Sequence, residues 1–268
     1  MRCRGKGKNK GVSEVVGYLL VFSIVVTIVS VVYASGMPVV EQTKESSALK
    51  SMETVFLTVQ STVKKVALAQ SPVRTINLNL VKGSMSAHEN AGDITISTNL
   101  SPPILISFGN ITYTLGSQRI SYENGAVIEH SPGGNIILSE PLIFFTNYSG
   151  SDTAHVIISV INVSGTFSTS GGIAEMQMRK SDPNNDTKVV YDGSEAVVNY
   201  VNISINSAYA LAWSLFLNNS YKETFGQLPI NAGRTEDSCW LKITKGTNGV
   251  AENLHLTLVT HNVSVSQT

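Results

Sequence analysis

Residues 15 to 34, VVGYLLVFSIVVTIVSVVYA, hold no charge, and about twenty helical residues at ~1.5 Å rise are enough to cross a ~30 Å hydrocarbon core. Gly36 and Pro38 follow and predict a kink or short break. Beyond them Ala48, Leu49, Met52, Val55, Phe56, Val59, Val63, Val66 and Ala67 recur at spacings of three and four. Lys44, Lys50, Glu53, Lys64 and Lys65 fall mostly elsewhere, so this is an amphipathic helix ending near Ser71 and Pro72.

From Val73 the period changes to two. Strands are expected at 75–80, 93–97, 104–107, 154–163, 173–179, 187–190, 196–205, 240–244 and 254–265, with a β-meander over 118–146. Asn124-Gly125 between RISYE and AVIEH is a two-residue hairpin signal. SAYALAWSLFLNN at 207–219 reads as one short helix behind a Ser207 cap. SGTFSTSGG at 164–172 and SDPNNDT at 181–187 read as loops. The expected architecture is α+β: a long N-terminal transmembrane and amphipathic helix, then a mostly antiparallel, sandwich-like β-rich domain with one short helix. The segments are 1–11 (basic leader), 12–36 (transmembrane helix), 39–71 (amphipathic helix) and 72–268 (external β-rich domain).

The leader MRCRGKGKNKG carries Arg2, Arg4, Lys6, Lys8 and Lys10 and no acid. By the positive-inside rule it stays in the cytoplasm and the C-terminal domain faces out. Five of the 19 basic residues therefore lie in the leader, leaving 14 against 19 acidic residues. That mild acidity excludes nucleic acid as a partner and leaves membrane lipid as the one partner that hydropathy demands. Three N-terminal devices fit: a secretory signal cut at Val32-Tyr33-Ala34, an uncut signal anchor, and a cut between Gly11 and Val12 ahead of the apolar run.

The third device rests on KNKGVSEVVGYLLVF, where Lys10, Gly11, Val12, Ser13, Val15 and Gly17 resemble the class III leader of archaeal type IV pilins and flagellin-like proteins. Over the first 35 residues or so the resemblance implies cleavage by a prepilin peptidase between Gly11 and Val12. It also implies packing with other pilin-like subunits through the freed helix, in a surface filament. Glu14 departs from the family, which commonly has Pro there; it reads as a capping residue at the helix start or as a partner for a neighbour's new α-amino group. A second stretch, GSQRISYENGAVIEHSPGGNIILSEP, is similar to a segment in uncharacterised archaeal membrane proteins and carries no assigned chemistry.

Glycosylation acceptors of the form Asn-x-Ser/Thr occur at Asn99, Asn110, Asn147, Asn162, Asn185, Asn202, Asn218 and Asn262, roughly twice as many as composition predicts. Asn162 and Asn202 fall in predicted strands; Asn99, Asn147, Asn185 and Asn218 fall nearer loops. Cys3 and Cys239 are expected on opposite sides of the membrane and so do not pair, which leaves Cys239 either as a small apolar residue beside Trp240 or as one half of an intermolecular disulfide. No nucleophile elbow, His-Glu-x-x-His pair, phosphate loop or cysteine pair is present. His255 and His261 share a strand face but stand some 20 Å apart at ~3.3 Å per residue, too far for one metal. No catalytic residue, metal or cofactor is therefore assigned. The expected function is that of a minor pilin-like surface subunit; the alternative is a non-polymerising, single-pass surface glycoprotein with a binding role.

Overall fold

The computed structural model describes residues 10–148, 150, 152–181, 187–191 and 197–267. They divide into two compact units, residues 1–48 and 49–268. The first unit is the N-terminal part of helix α1 (Lys10–Ala67), an assigned helix that runs through Pro38. The break expected at Gly36 and Pro38 does not occur, because a proline removes one amide donor without obliging the surrounding turns to unwind. Every side chain from Val15 to Ser47 is exposed. The few polar residues within the apolar run are satisfied by the helix itself: Ser23 Oγ donates to the Leu19 carbonyl at 2.8 Å, Thr27 to Ser23 at 2.7 Å and Ser30 to Val26 at 2.7 Å. A hydroxyl bonded to the i−4 carbonyl needs no water, which is what a helix in hydrocarbon requires.

The second unit begins with the amphipathic end of α1. The strands are β1 (Val73–Ser97), β2 (Ile104–Leu115), β3 (Gln118–Glu123), β4 (Ala126–Ser131), β5 (Gly134–Ser139), β6 (Ile143–Tyr148), β7 (Thr153–Ser164), β8 (Phe167–Lys180), β9 (Thr187–Tyr191), β10 (Tyr200–Asn206), β11 (Asn231–Arg234), β12 (Ser238–Thr244) and β13 (Asn253–Gln267), with helix α2 (Ala210–Phe225) after β10. The main path is β5-β4-β3-β2-β1-β8-β13-β7-β6, and β10, β12 and β11 extend outward from the second half of β1. All pairings are antiparallel except β7 with β13. The α+β class with a mostly antiparallel sheet therefore holds.

Three expectations change. The strands foreseen at 75–80 and 93–97 are one strand, β1, bent by register shifts between Leu80 and Ser84 and between His88 and Gly92. The Ser/Gly-rich stretch 164–172 is not a loop, because Phe167 to Gly172 pair with β1 as part of β8; an inner neighbour supplies the packing that the small residues lack. The 118–146 meander stops at β5, since β6 pairs with β7 instead.

Two apolar cores occupy opposite faces of the shared strands. One takes Leu49, Met52, Phe56, Val59, Val63 and Val66 of α1, all buried, against Leu78, Met85, Ile111, Tyr113, Ile120, Tyr122, Ile161 and Val263. The other takes Ile94, Ile96, Phe108, Val156, Ile158, Ile203, Leu241 and Leu256 under Trp213, Phe216 and Leu217 of α2. Adjacent residues of β7, Val160 and Ile161, serve different cores, because successive side chains of a strand point to opposite faces.

Candidate functional sites

The β3–β4 hairpin lies where the two cores meet. Asn124 and Gly125 have φ of 44° and 82°, both positive as a two-residue type I′ loop requires. Asn124 is buried, and its Oδ1 accepts from the Ile161 N–H at 3.0 Å. Gln60 of α1 reaches the same turn: its Nε2 donates to the Gly125 carbonyl at 2.6 Å and to the Glu140 carbonyl at 3.1 Å, while its Oε1 accepts from Ser139 Oγ at 2.6 Å. On the other face Glu123, 1% exposed, accepts from Trp213 Nε1 at 2.8 Å. Burial pushes its carboxyl up to about 7, against the opposing effect of hydrogen bonds from Ser207 and Trp213. Tyr209 and Cys239 lie within its field; burial raises both, the Cys239 thiol to about 12, which makes that thiol an inert core group.

Sequence reasoning missed Glu123. In RISYENG the alternation Ser121, Glu123 reads as a solvated strand face, and only α2, which arrives some ninety residues later, covers it. Ser207 also takes a role other than the one expected. It does not cap α2, whose N-cap is Tyr209 with no side-chain cap bond; its Oγ accepts from the Tyr209 N–H at 3.0 Å.

Gly11 and Val12 lie in the first turn of α1, and the side chain of Glu14 falls outside the described residues. Asn185 likewise lies outside them. Of the remaining acceptors Asn99 is exposed, in the bend between β1 and β2, with its Oδ1 taking the Asn199 N–H at 2.7 Å. Asn162 and Asn262 face each other across β7 and β13. Asn162 Nδ2 donates to Asn262 Oδ1 at 3.3 Å and its Oδ1 accepts from the Gly109 N–H at 3.2 Å, so these amides staple strands. Asn110 lies in β2 with its Oδ1 buried. Asn147 and Asn218 are not in loops: Asn147 is in β6, with Nδ2 donating to the Gly249 carbonyl at 2.9 Å, and Asn218 is in α2. Asn202 is half-buried on the outward side of β10.

His255 and His261 fall on the same side of β13, as the alternation predicts, but in different settings. His261 is buried, whereas His255 stacks on His155 of β7 with ring centroids 5.0 Å apart. Burial, and secondarily the neighbouring His255, holds the His155 imidazole below its ordinary range. Among the described residues no group of three or more His, Cys, Asp or Glu is arranged to hold a metal ion.

Residues 10–266 match the family described as a family of unknown function (DUF7289), and the chain belongs to that family. It is also similar to an uncharacterized protein of Archaeoglobus fulgidus, 24% identical over 106 residues that make up 40% of this chain and 32% of the relative's length. No solved structure matches.

Proposed function

We propose that this member of the DUF7289 family is a pilin-like cell-surface subunit, cut by a prepilin peptidase between Gly11 and Val12. Helix α1 then serves as membrane anchor and as assembly surface, with the β-rich domain outside the cell. The observation that carries this reading is the division of one helix between two environments. Among the described residues every side chain from Val15 to Ser47 is exposed, and from Leu49 onward a single stripe is buried in the domain core. A helix that presents an apolar surface on all sides needs lipid or other helices around it. The basic leader and the Gly11-Val12 pattern favour a cut in front of that surface, which would leave it at the new N-terminus.

Amino-terminal sequencing of the protein from native membranes tests the proposal, with Val12 as the expected first residue and a bulky substitution at Gly11 expected to abolish the cut. Fractionation of sheared surface filaments tests assembly, and the processed chain should be present in the filaments. An intact Met1 terminus, or a processed chain confined to the membrane fraction, would replace the subunit by the non-polymerising surface anchor.

A further inference from the structure

Strands β7 and β13 are far apart in the chain, yet their parallel pairing sets His155 directly opposite His255. Ala154, Val156, Leu254 and Leu256 beside them are buried in the core under α2. By alternation both imidazoles therefore point to the outer face of the sheet, where each is half-buried and Phe144, Tyr148 and Ile157 are exposed. The two rings stack with centroids 5.0 Å and planes 20° apart. Tyr148 meets the His155 ring edge-on at 6.0 Å. On the other side of His155, in the same row, β6 places Thr146, whose Oγ1 is buried without a hydrogen-bond partner.

An imidazole ligates a metal through a lone pair, so it must first be neutral. Burial, and then the neighbouring His255, already hold His155 below its ordinary range, and competition from protons near neutral pH is correspondingly weak. With metal–nitrogen bonds of about 2.0–2.1 Å, two imidazoles on one ion have ring centroids about 4.5 Å apart at a right-angled N–metal–N and about 5.2 Å apart at a tetrahedral one. The separation of 5.0 Å lies in that interval, toward its tetrahedral end. Aiming one nitrogen of each ring at a shared point then requires only rotation about χ2, a soft sp³–sp² torsion. A ligating histidine donates its second ring N–H to an oxygen, and Thr146 Oγ1 stands beside His155 to accept it. Asp152 and Glu252, joined by a 3.2 Å bond from the Glu252 N–H to Asp152 Oδ1, each precede one of the histidines by three residues. At about 10 Å along the strands they are too far away to ligate an ion, but their charge favours a cation there.

We propose that His155 and His255 together bind one Zn²⁺ ion, with two imidazole nitrogens from the protein and solvent oxygens in the remaining positions. Neutral imidazole nitrogen suits zinc and its late first-row neighbours, and the near-tetrahedral ring separation favours zinc among them. The ion ties the C-terminal strand β13 to β7 at the one parallel pairing among the described strands. Two protein ligands, against the four of a closed structural site, make this an exchangeable ion that a chelator removes without unfolding the domain. Alternation along β13 directs attention to His261 as a partner for His255; the second ligand comes instead from the neighbouring strand.

The test uses the full chain without an affinity tag, in detergent, with Cys3→Ser so that the leader thiol contributes nothing. After chelator treatment it is dialysed to equilibrium against buffered Zn²⁺ near neutral pH, and bound metal is measured. The parent should take up one equivalent. His155→Ala and His255→Ala should each weaken that binding at least about tenfold, whereas His88→Ala and His130→Ala should leave it as in the parent. Denaturant unfolding checks that each variant is folded, and His155→Gln and His255→Gln replace any alanine variant that is not. With Cu²⁺ in place of Zn²⁺, the electron paramagnetic resonance spectrum should show two imidazole nitrogens on the ion in the parent and one fewer in either variant. The proposal is overturned if the parent retains no zinc at free Zn²⁺ up to about 100 µM, if either folded histidine variant binds zinc as the parent does, or if the copper spectrum is unchanged by either substitution.

Discussion

The two cores share strands but are closed by different helices and in different chemistry. The core under α1 is apolar with Gln60, Thr62 and His261 buried at its margin, and Gln60 meets three partners. The core under α2 encloses a carboxylate, Glu123, with an indole and a hydroxyl as its partners. The first arrangement is continuous in sequence with the exposed apolar stretch of α1, so that stretch and one side of the domain's core belong to a single helix. The second is a pairing of distant segments across a buried polar group, where a proton rather than a methylene sets the energy.

The sharpest way to break this comparison is to open the first core. Phe56, 0% exposed, replaced by alanine should lower domain stability by about 3–5 kcal/mol, measured by denaturant unfolding in detergent. A cost near that of a surface substitution would mean that α1 only leans on the domain.

The second core should respond to pH instead. Because the folded Glu123 carboxyl is raised from an ordinary 4.5 to about 7, the native state binds more protons than the unfolded chain between those values, and stability falls as pH rises through that window. Glu123→Gln keeps an acceptor for Trp213 Nε1 and removes the buried charge. It should leave stability nearly unchanged below pH 4.5 and raise it by up to about 3 kcal/mol at pH 8. Parallel stability profiles for parent and variant would show that Glu123 is ionised without cost and would erase the distinction between the cores.

Smaller effects test the hairpin between them. Asn124→Ala removes the acceptor for the buried Ile161 N–H and places a Cβ residue without a local hydrogen bond at positive φ, for an expected loss of about 2 kcal/mol. Gln60→Ala should cost about 1–2 kcal/mol, and less in a Ser139→Ala background, since the two share a bond.

Much of the molecule was legible in the sequence for local reasons. The uncharged run, the stripe from Leu49 to Ala67 and the Asn124-Gly125 turn each depend on residues a few positions apart, and each stands where the periodicity put it. The strands β7, β10, β12 and β13 likewise followed from alternation, to within a few residues. Misreadings came where a distant neighbour outweighed local composition: Phe167 to Gly172 became strand because β1 lay beside them, and Asn147 and Asn218 fell in regular elements rather than loops.

The sequence by itself thus determined the long apolar N-terminal helix, which is a candidate membrane span, and the α+β class, because hydropathy and period act over one or two turns of chain. Only the tertiary structure decided that Glu123 is buried, that Asn162 and Asn262 bind each other, and that His155 stacks on His255. Each of those outcomes depends on which strands or helices become neighbours, and pairing across many tens of residues leaves no periodic mark in the chain.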